Sequence, residues 1–347
     1  MKRRVQRERS GLMLIVILLT LPVHGWAQEA PHPPESLPMT TEVGEGPADE
    51  GALFLLLPVG AQAVGVGRAM TARSTQEAAF WNPAGLGGLA STRVLVYRGD
   101  HLVGDATAVS ALIARPALGT LGLSYQLLDV GSQDLTDGQG NVMGSVSVRS
   151  HQAILSVATR LSAQIDLGAN IKYVRFGLSC RGQCPEASMA ASTFAVDLGG
   201  QFIPVRSVPL RFGAMVAHLG PRLQVVNAER ADPLPTRVRV SVAYDLLEQF
   251  LPDEDLGFSI MVEMEERWNG DRGDPSLYMG SELRVGEDDR VFLRGGYILG
   301  GTTQTDAAAL GFGVRYERFE LGMARSLART NLAAASEPVH VTLGISF

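Results

Sequence analysis

The chain is poor in the residues that enzymes and metal proteins concentrate. Cysteine occurs twice, at Cys180 and Cys184, four positions apart, with no histidine beside them. That spacing is neither a C-x-x-C redox motif nor a zinc knuckle, and the pair reads as a small disulfide closing a loop. Past the N-terminal region His32, His101, His151, His218 and His340 are scattered without metal-ligand spacing, and neither H-E-x-x-H nor G-x-S-x-G occurs. No catalytic group, cofactor or metal is therefore expected. Gly65-Val66-Gly67 lacks the third glycine and the preceding strand of a nucleotide fingerprint. Basic patches are missing too, and the net charge of −6 argues against a nucleic-acid partner.

Long apolar runs are confined to the N-terminus. Lys2, Arg3, Arg4, Arg7 and Arg9 precede an apolar stretch from Leu12 to Leu21, and Gly25 and Ala27 supply small residues at the −3 and −1 positions. This is the layout of a secretory signal peptide, expected over 1–27 with cleavage after Ala27. No cysteine follows it to carry a lipid anchor. The longest later run, Leu53 to Leu57, ends at Pro58. A chain without a second spanning helix crosses a membrane only as a closed barrel, because lipid offers no partner to unpaired backbone N–H and C=O groups.

What the sequence has is alternation. Val238, Val240, Val242, Tyr244 and Leu246 fall on one face of an extended segment, and Arg237, Arg239, Ser241 and Asp245 on the other. Phe258, Ile260, Val262 and Met264 oppose Glu263 and Glu265; Leu277, Met279, Leu283 and Val285 oppose Glu282 and Arg284; Leu310, Phe312, Val314 and Tyr316 oppose Gly311, Gly313 and Arg315. Side chains alternate across a strand, so each segment has one greasy face and one small or charged face. The segments run close to the roughly 9–11 residues with which a tilted strand crosses a bilayer. Counting them from Thr92 to Phe347 gives about fourteen, the even number expected of a bacterial up-and-down barrel. The three longest connections, 129–145, 177–190 and 218–234, all follow odd-numbered strands, and so all emerge on the cell-exterior side. The expected fold is thus an all-β transmembrane barrel over 92–347 in the bacterial outer membrane, in contact with its lipid.

Its lumen would hold Arg237, Arg239, Glu263, Glu265, Glu282, Arg284, Arg294 and Arg315, mixed in sign on neighbouring strands. They read as a salt-bridge network, or as a polar path for a head group. A fourteen-stranded interior is too wide for wall side chains to close, so a plug or water must fill it.

Upstream of the barrel, residues 28–50 are rich in proline and acids and read as a flexible leader. Residues 51–91 are small, apolar and glycine-rich. Gly60, Gly65 and Gly67 allow tight turns in a narrow lumen. Ser74 and Glu77 have the spacing of a capping box, Pro83 stops any helix before Asn82, and Trp81 is placed to anchor on the wall. A small helical plug is expected here.

This plug stretch, with its Gly/Ala-rich run from Phe54 to Met70 followed by Trp81-Asn82-Pro83-Ala84-Gly85-Leu86 just before the first strand, resembles the PorV/PorQ family, within the FadL-like fatty-acid-transporter barrel superfamily. Asn82-Pro83-Ala84 matches the superfamily's Asn-Pro-Ala element. The sequence departs from the family where Ser74, Thr75, Gln76 and Glu77 replace its usual aspartates and where Gly67-Arg68 replaces Gly-Gly. The C-terminal strand, with Val339, Val341, Leu343, Ile345 and terminal Phe347 on one face, resembles the signal read by the barrel assembly machinery. The resemblance implies no enzyme. It implies either a PorV-like role in type IX secretion, with secretion subunits or cargo proteins as partners, or FadL-like transport of fatty acids or other hydrophobic small molecules. A purely structural barrel in a larger assembly remains a third reading.

Overall fold

Backbone hydrogen bonding closes the sheet on itself, each strand pairing with a neighbour on both sides. The computed structural model describes residues 50–347 except 102, 116–117, 185–187, 206, 226–230, 248–254, 269–274, 288, 301–305 and 329–337. The expected signal peptide and all but the last residue of the leader lie outside the described residues. Fourteen antiparallel strands follow one another around a closed barrel. They are β1 Arg93–His101, β2 Gly104–Arg115, β3 Gly119–Thr136, β4 Val142–Arg160, β5 Ile165–Gly182, β6 Met189–Phe202 and β7 Leu210–Leu219. The second half comprises β8 Arg237–Asp245, β9 Leu256–Arg267, β10 Ser276–Val285, β11 Arg290–Leu299, β12 Ala307–Tyr316, β13 Phe319–Ala328 and β14 Val339–Ser346. The seam pairs β1 with β14, from Arg93 opposite Ser346 to Gly99 opposite His340. The rim where β1 begins and β14 ends is called the lower rim below, and the opposite one the upper rim.

The alternation sorts side chains as the period of two requires. Leu121, Leu123, Leu155, Ile171, Phe194, Val240, Ile260, Leu310, Phe312 and Leu343 face outward and exposed. Such a belt is stable only against hydrocarbon. This is a transmembrane up-and-down β-barrel, and its interior is packed rather than open.

Two of the connections expected to be loops are largely strand. Residues 129–136 and 142–145 continue β3 and β4 as a hairpin past a bulge near Val130, and 177–182 continue β5. Their polar side chains are wetted on both faces, so the apolar alternation stops, but the ladder needs only backbone groups and continues. Asp137 accepts the backbone N–H groups of Gln139 and Asn141 and closes the turn. Cys180 and Cys184 form a disulfide at the end of this raised wall.

Residues 51–91 run through the lumen from the upper rim to the lower. Glu50 is held at the upper rim by Arg237, at 2.8 Å, and by Arg267. A 3-10 turn over Leu53–Leu56, a short helix α1 over Ala61–Gly65, and two further 3-10 turns over Gln76–Phe80 and Pro83–Gly88 follow in order. Phe54, Leu55 and Val59 pack on Leu95, Tyr97, Leu128 and Val174, while Ala63, Val66 and Met70 pack on Met261, Tyr278 and Ile298. The barrel's apolar core is therefore the plug's contact with the wall, joined at the upper rim by Leu223 and Leu234 of the β7–β8 connection.

Candidate functional site: the plugged lumen

Close approach of the plug to the wall rests on glycine pairs. Gly280 on β10 and Gly296 on β11 are directly opposite in register and both face inward. A Cβ on either would collide with the plug backbone at Val66 and Gly67. Gly311 meets Gly65 in the same way, with an added Cβ 2.9 Å from the Gly65 Cα. Gly168 and Gly199 leave room for Pro83 and for the Asn82 side chain, and Gly85 itself lies against the Arg73 carbonyl. Two plug glycines serve conformation as well: Gly60 has φ 107° and Gly67 φ 59°, where a side chain is strained.

Polar contacts fix the plug's register. Asn82 donates through Nδ2 to the Thr71 carbonyl at 2.7 Å and caps the last turn, its Oδ1 accepting the Ala84 N–H at 3.1 Å. Pro83 fills the first position of that turn, where no N–H is needed. Trp81 donates to the carbonyl of Val59, within the plug rather than on the wall, and its ring lies under the Arg239 guanidinium, 5.1 Å from the centroid.

The expected capping box does not form. Thr75, not Ser74, caps the 3-10 turn, its hydroxyl accepting the Glu77 N–H at 3.0 Å. Ser74 instead bonds Gln201 and Arg211 on the wall. The Glu77 carboxylate turns away to the open start of α1 and accepts the N–H groups of Gln62 and Ala63. Helix N-termini carry unpaired donors, and here those of α1 outcompete Glu77's own turn. Burial pushes the Glu77 carboxyl up to about 7, against these hydrogen bonds and the Arg294 charge.

All eight sequence-identified charges point into the lumen, and most bind the plug or each other. Glu263 accepts the Thr71 N–H and hydroxyl at 2.7 and 2.9 Å. Arg239 pairs with Glu265, which also accepts the Tyr278 hydroxyl. Arg237 pairs with Glu50. Glu282 is shared between Arg294 at 2.7 Å and the plug's Arg73. Arg315 pairs with Glu320 at 2.6 Å, and Arg284 lies across Gly257 at the lower rim.

A second cluster was not singled out from the sequence. Lys172 on β5 and Asp197 on β6 pair at 2.7 Å, almost fully buried, and Asn170 joins Asp197 to the plug carbonyl of Ala79. Asp197 also accepts the backbone N–H of His218, a residue at φ 62° where the β6–β7 register shifts. Inward parity on β5 and β6 marks Lys172 and Asp197. Nothing periodic marks Arg73 or Glu77, since the plug has no strand pattern. The fold also brings two histidines together across the seam: the His101 and His340 rings are 5.1 Å apart, and Tyr97 bonds His340 at 2.7 Å. Among the described residues no group of His, Cys, Asp and Glu is arranged to hold a metal ion.

A closed fourteen-stranded barrel with an N-terminal peptide threaded through it defines a class of membrane protein. Solved structures of outer-membrane barrels superpose on this chain. The toluene transporter TbuX of Ralstonia pickettii matches with a TM-score of 0.55 at 12% identity, over 83% of this chain and 97% of its own. A FadL homologue of Pseudomonas aeruginosa matches with a TM-score of 0.55 at 9% identity, over 84% and 98%. The monoaromatic hydrocarbon channel CymD matches with a TM-score of 0.56 at 12% identity, over 86% and 98%. At such identities the likeness is one of fold. No protein-family model matches the sequence, and no curated protein sequence matches it.

Proposed function

We propose that this protein is a plugged outer-membrane channel that passes small molecules through a gated lumen, a FadL-like rather than a secretion role. The carrying observation is that the lumen is filled along its height by a peptide thread, packed at the upper rim on Leu223 and Leu234 and seated on glycines and hydrogen bonds that separate without unfolding a strand. The shared fold with hydrocarbon transporters supports this reading. In it, residues 1–27 direct export, Phe347 ends the strand read by the assembly machinery, and the lower rim faces the periplasm. The charged lumen favours solutes with a polar group over plain hydrocarbons. Uptake of labelled octanoate and toluene by cells lacking the gene tests it. Restoring the wild-type gene should raise uptake of at least one solute, and replacing residues 51–91 by a Gly/Ser linker should change that rate. Identical uptake in all three strains would refute the channel.

One observation favours a second reading, surface delivery of proteins in the PorV/PorQ manner. The β3–β5 wall stands above its neighbours and carries the Cys180–Cys184 disulfide at the end of β5, a ledge on which a protein could rest. Crosslinking from that ledge in native membranes, followed by mass spectrometry, would recover secreted cargo or secretion subunits if it holds.

A further inference from the structure

At the lower rim the lumen opens into a cavity of about 250 Å³ beside the end of the plug. Arg73, Arg93, Arg284, Arg290, Arg294 and Arg315 line it, and the acidic groups among its lining residues are Glu282 and Glu320. Leaving aside Arg290, which is engaged elsewhere and donates to the Glu287 carbonyl, five positive charges face two negative ones among the lining residues. Each glutamate is already divided between two arginines: Glu282 between Arg73 and Arg294, Glu320 between Arg315 at 2.6 Å and Arg93 at 3.8 Å. The Arg93 Nε is buried without a hydrogen-bond partner, and Arg284 makes no ion pair among the described residues. Arg294 and Arg315 also rest on the Phe292 ring, 4.9 and 5.5 Å from its centroid, which holds both guanidinium groups at the cavity wall.

Gathering like charges out of bulk water is costly unless a counter-charge joins them. A guanidinium offers five donors in a planar fork that matches the oxygens of carboxylates and phosphates. The internal acids use only part of that supply. The volume falls below the roughly 300–1,000 Å³ of ordinary small-molecule pockets, so it suits a head group and not a whole large ligand.

We propose that this lower-rim cavity is an oxyanion-binding site that takes the carboxylate or phosphate group of a small ligand. On the channel reading, on which its biological meaning rests, the site is the station that a permeating anion occupies next to the plug. The occupant of the site is either a free anion or the head group of an amphiphile, and the two are separable.

Calorimetric titration of the full chain in maltoside micelles, against a micelle blank, tests it with three probes: inorganic phosphate, octyl phosphate and octanol. Octyl phosphate should bind and octanol should not. Phosphate binding as tightly as octyl phosphate identifies a free-anion site, and a clear gain from the tail identifies a head-group site. R93Q/R284Q should weaken binding about tenfold or more, the effect of losing charged hydrogen bonds. R98Q, on the outer face, should leave it unchanged. Should the double variant fail to assemble, the wild-type protein still decides, because its affinity must fall as salt rises from about 0.05 to 0.5 M. No heat with either phosphate, equal binding of octanol, or insensitivity to both salt and R93Q/R284Q would overturn the site. Loss of binding with uptake intact would sink the site alone, while retained binding in a protein that moves no solute would sink the channel.

Discussion

Thr342 on the last strand and Glu77 in the plug are hydrogen-bonded at 3.1 Å across 265 positions of sequence, the threonine hydroxyl donating to the carboxylate. The same hydroxyl accepts the Ala61 N–H at 2.8 Å. One wall side chain therefore joins both ends of the α1 cap to β14. T342V keeps the shape and leaves a buried N–H and carboxylate short of a partner. It should cost about 1–3 kcal/mol, read as a lower temperature for loss of the heat-resistant folded band on gels.

Glu77 gives this junction a pH dependence. Its folded-state pKa of about 7 lies above the 4.5 of the free side chain, so the folded state binds the proton more tightly. The proton it retains is a stabilising contribution that is lost as pH rises from about 4.5 to 7. Plug seating, measured by protease cleavage within residues 51–91, should be firmer at pH 5 than at pH 8. E77Q should flatten that dependence while weakening seating overall, because an amide NH₂ then faces an N–H donor. Arg294 and the Tyr97 hydroxyl, which also interact electrostatically with Glu77, are unchanged in that variant.

Adjacent glycines on β11 should respond in opposite ways. G296A drives a methyl group into Gly67 and should cost about 1–3 kcal/mol, typical of overpacking, or displace the plug. G295A, where the nearest atom to an added Cβ is the Ser281 hydroxyl at 3.6 Å, should be tolerated. Ion conductance in planar bilayers separates the outcomes: only G296A should raise it.

Asp197 holds Lys172 in a buried pair at 2.7 Å. D197N leaves the ammonium without its counter-charge and should destabilise the barrel by about 3–5 kcal/mol. K172M/D197N should recover part of that loss in thermal unfolding, since no unpaired charge remains.

Much of the wall was legible because a membrane barrel writes its inside and outside into every second residue. Val238 to Tyr244 and Leu310 to Tyr316 declare their outward face as plainly as any structure could. The raised parts of β3, β4 and β5 were hidden because Ser132, Gln133 and Ser145 meet water on both sides, and hydrogen bonding between backbones leaves no trace in side-chain type. In the plug, composition revealed a thread but not its path. Nothing local tells Glu77 to bond Ala63 rather than cap its own turn. Glu282 and Arg294 were recognisable as lumenal, but that Arg73 would complete the pair depended on where the thread lies.

The seam has a bearing on how the molecule forms. Tyr97 on β1 bonds the Pro58 carbonyl, and Thr342 on β14 bonds Ala61, so the first and last strands, whose pairing closes the circle, also grip the thread. A barrel closed along that pairing before the peptide entered would leave Tyr97 and Thr342 without their partners. Sealing the cylinder and holding its filling therefore draw on the same contacts between opposite ends of the chain, a long-range arrangement expected to form slowly.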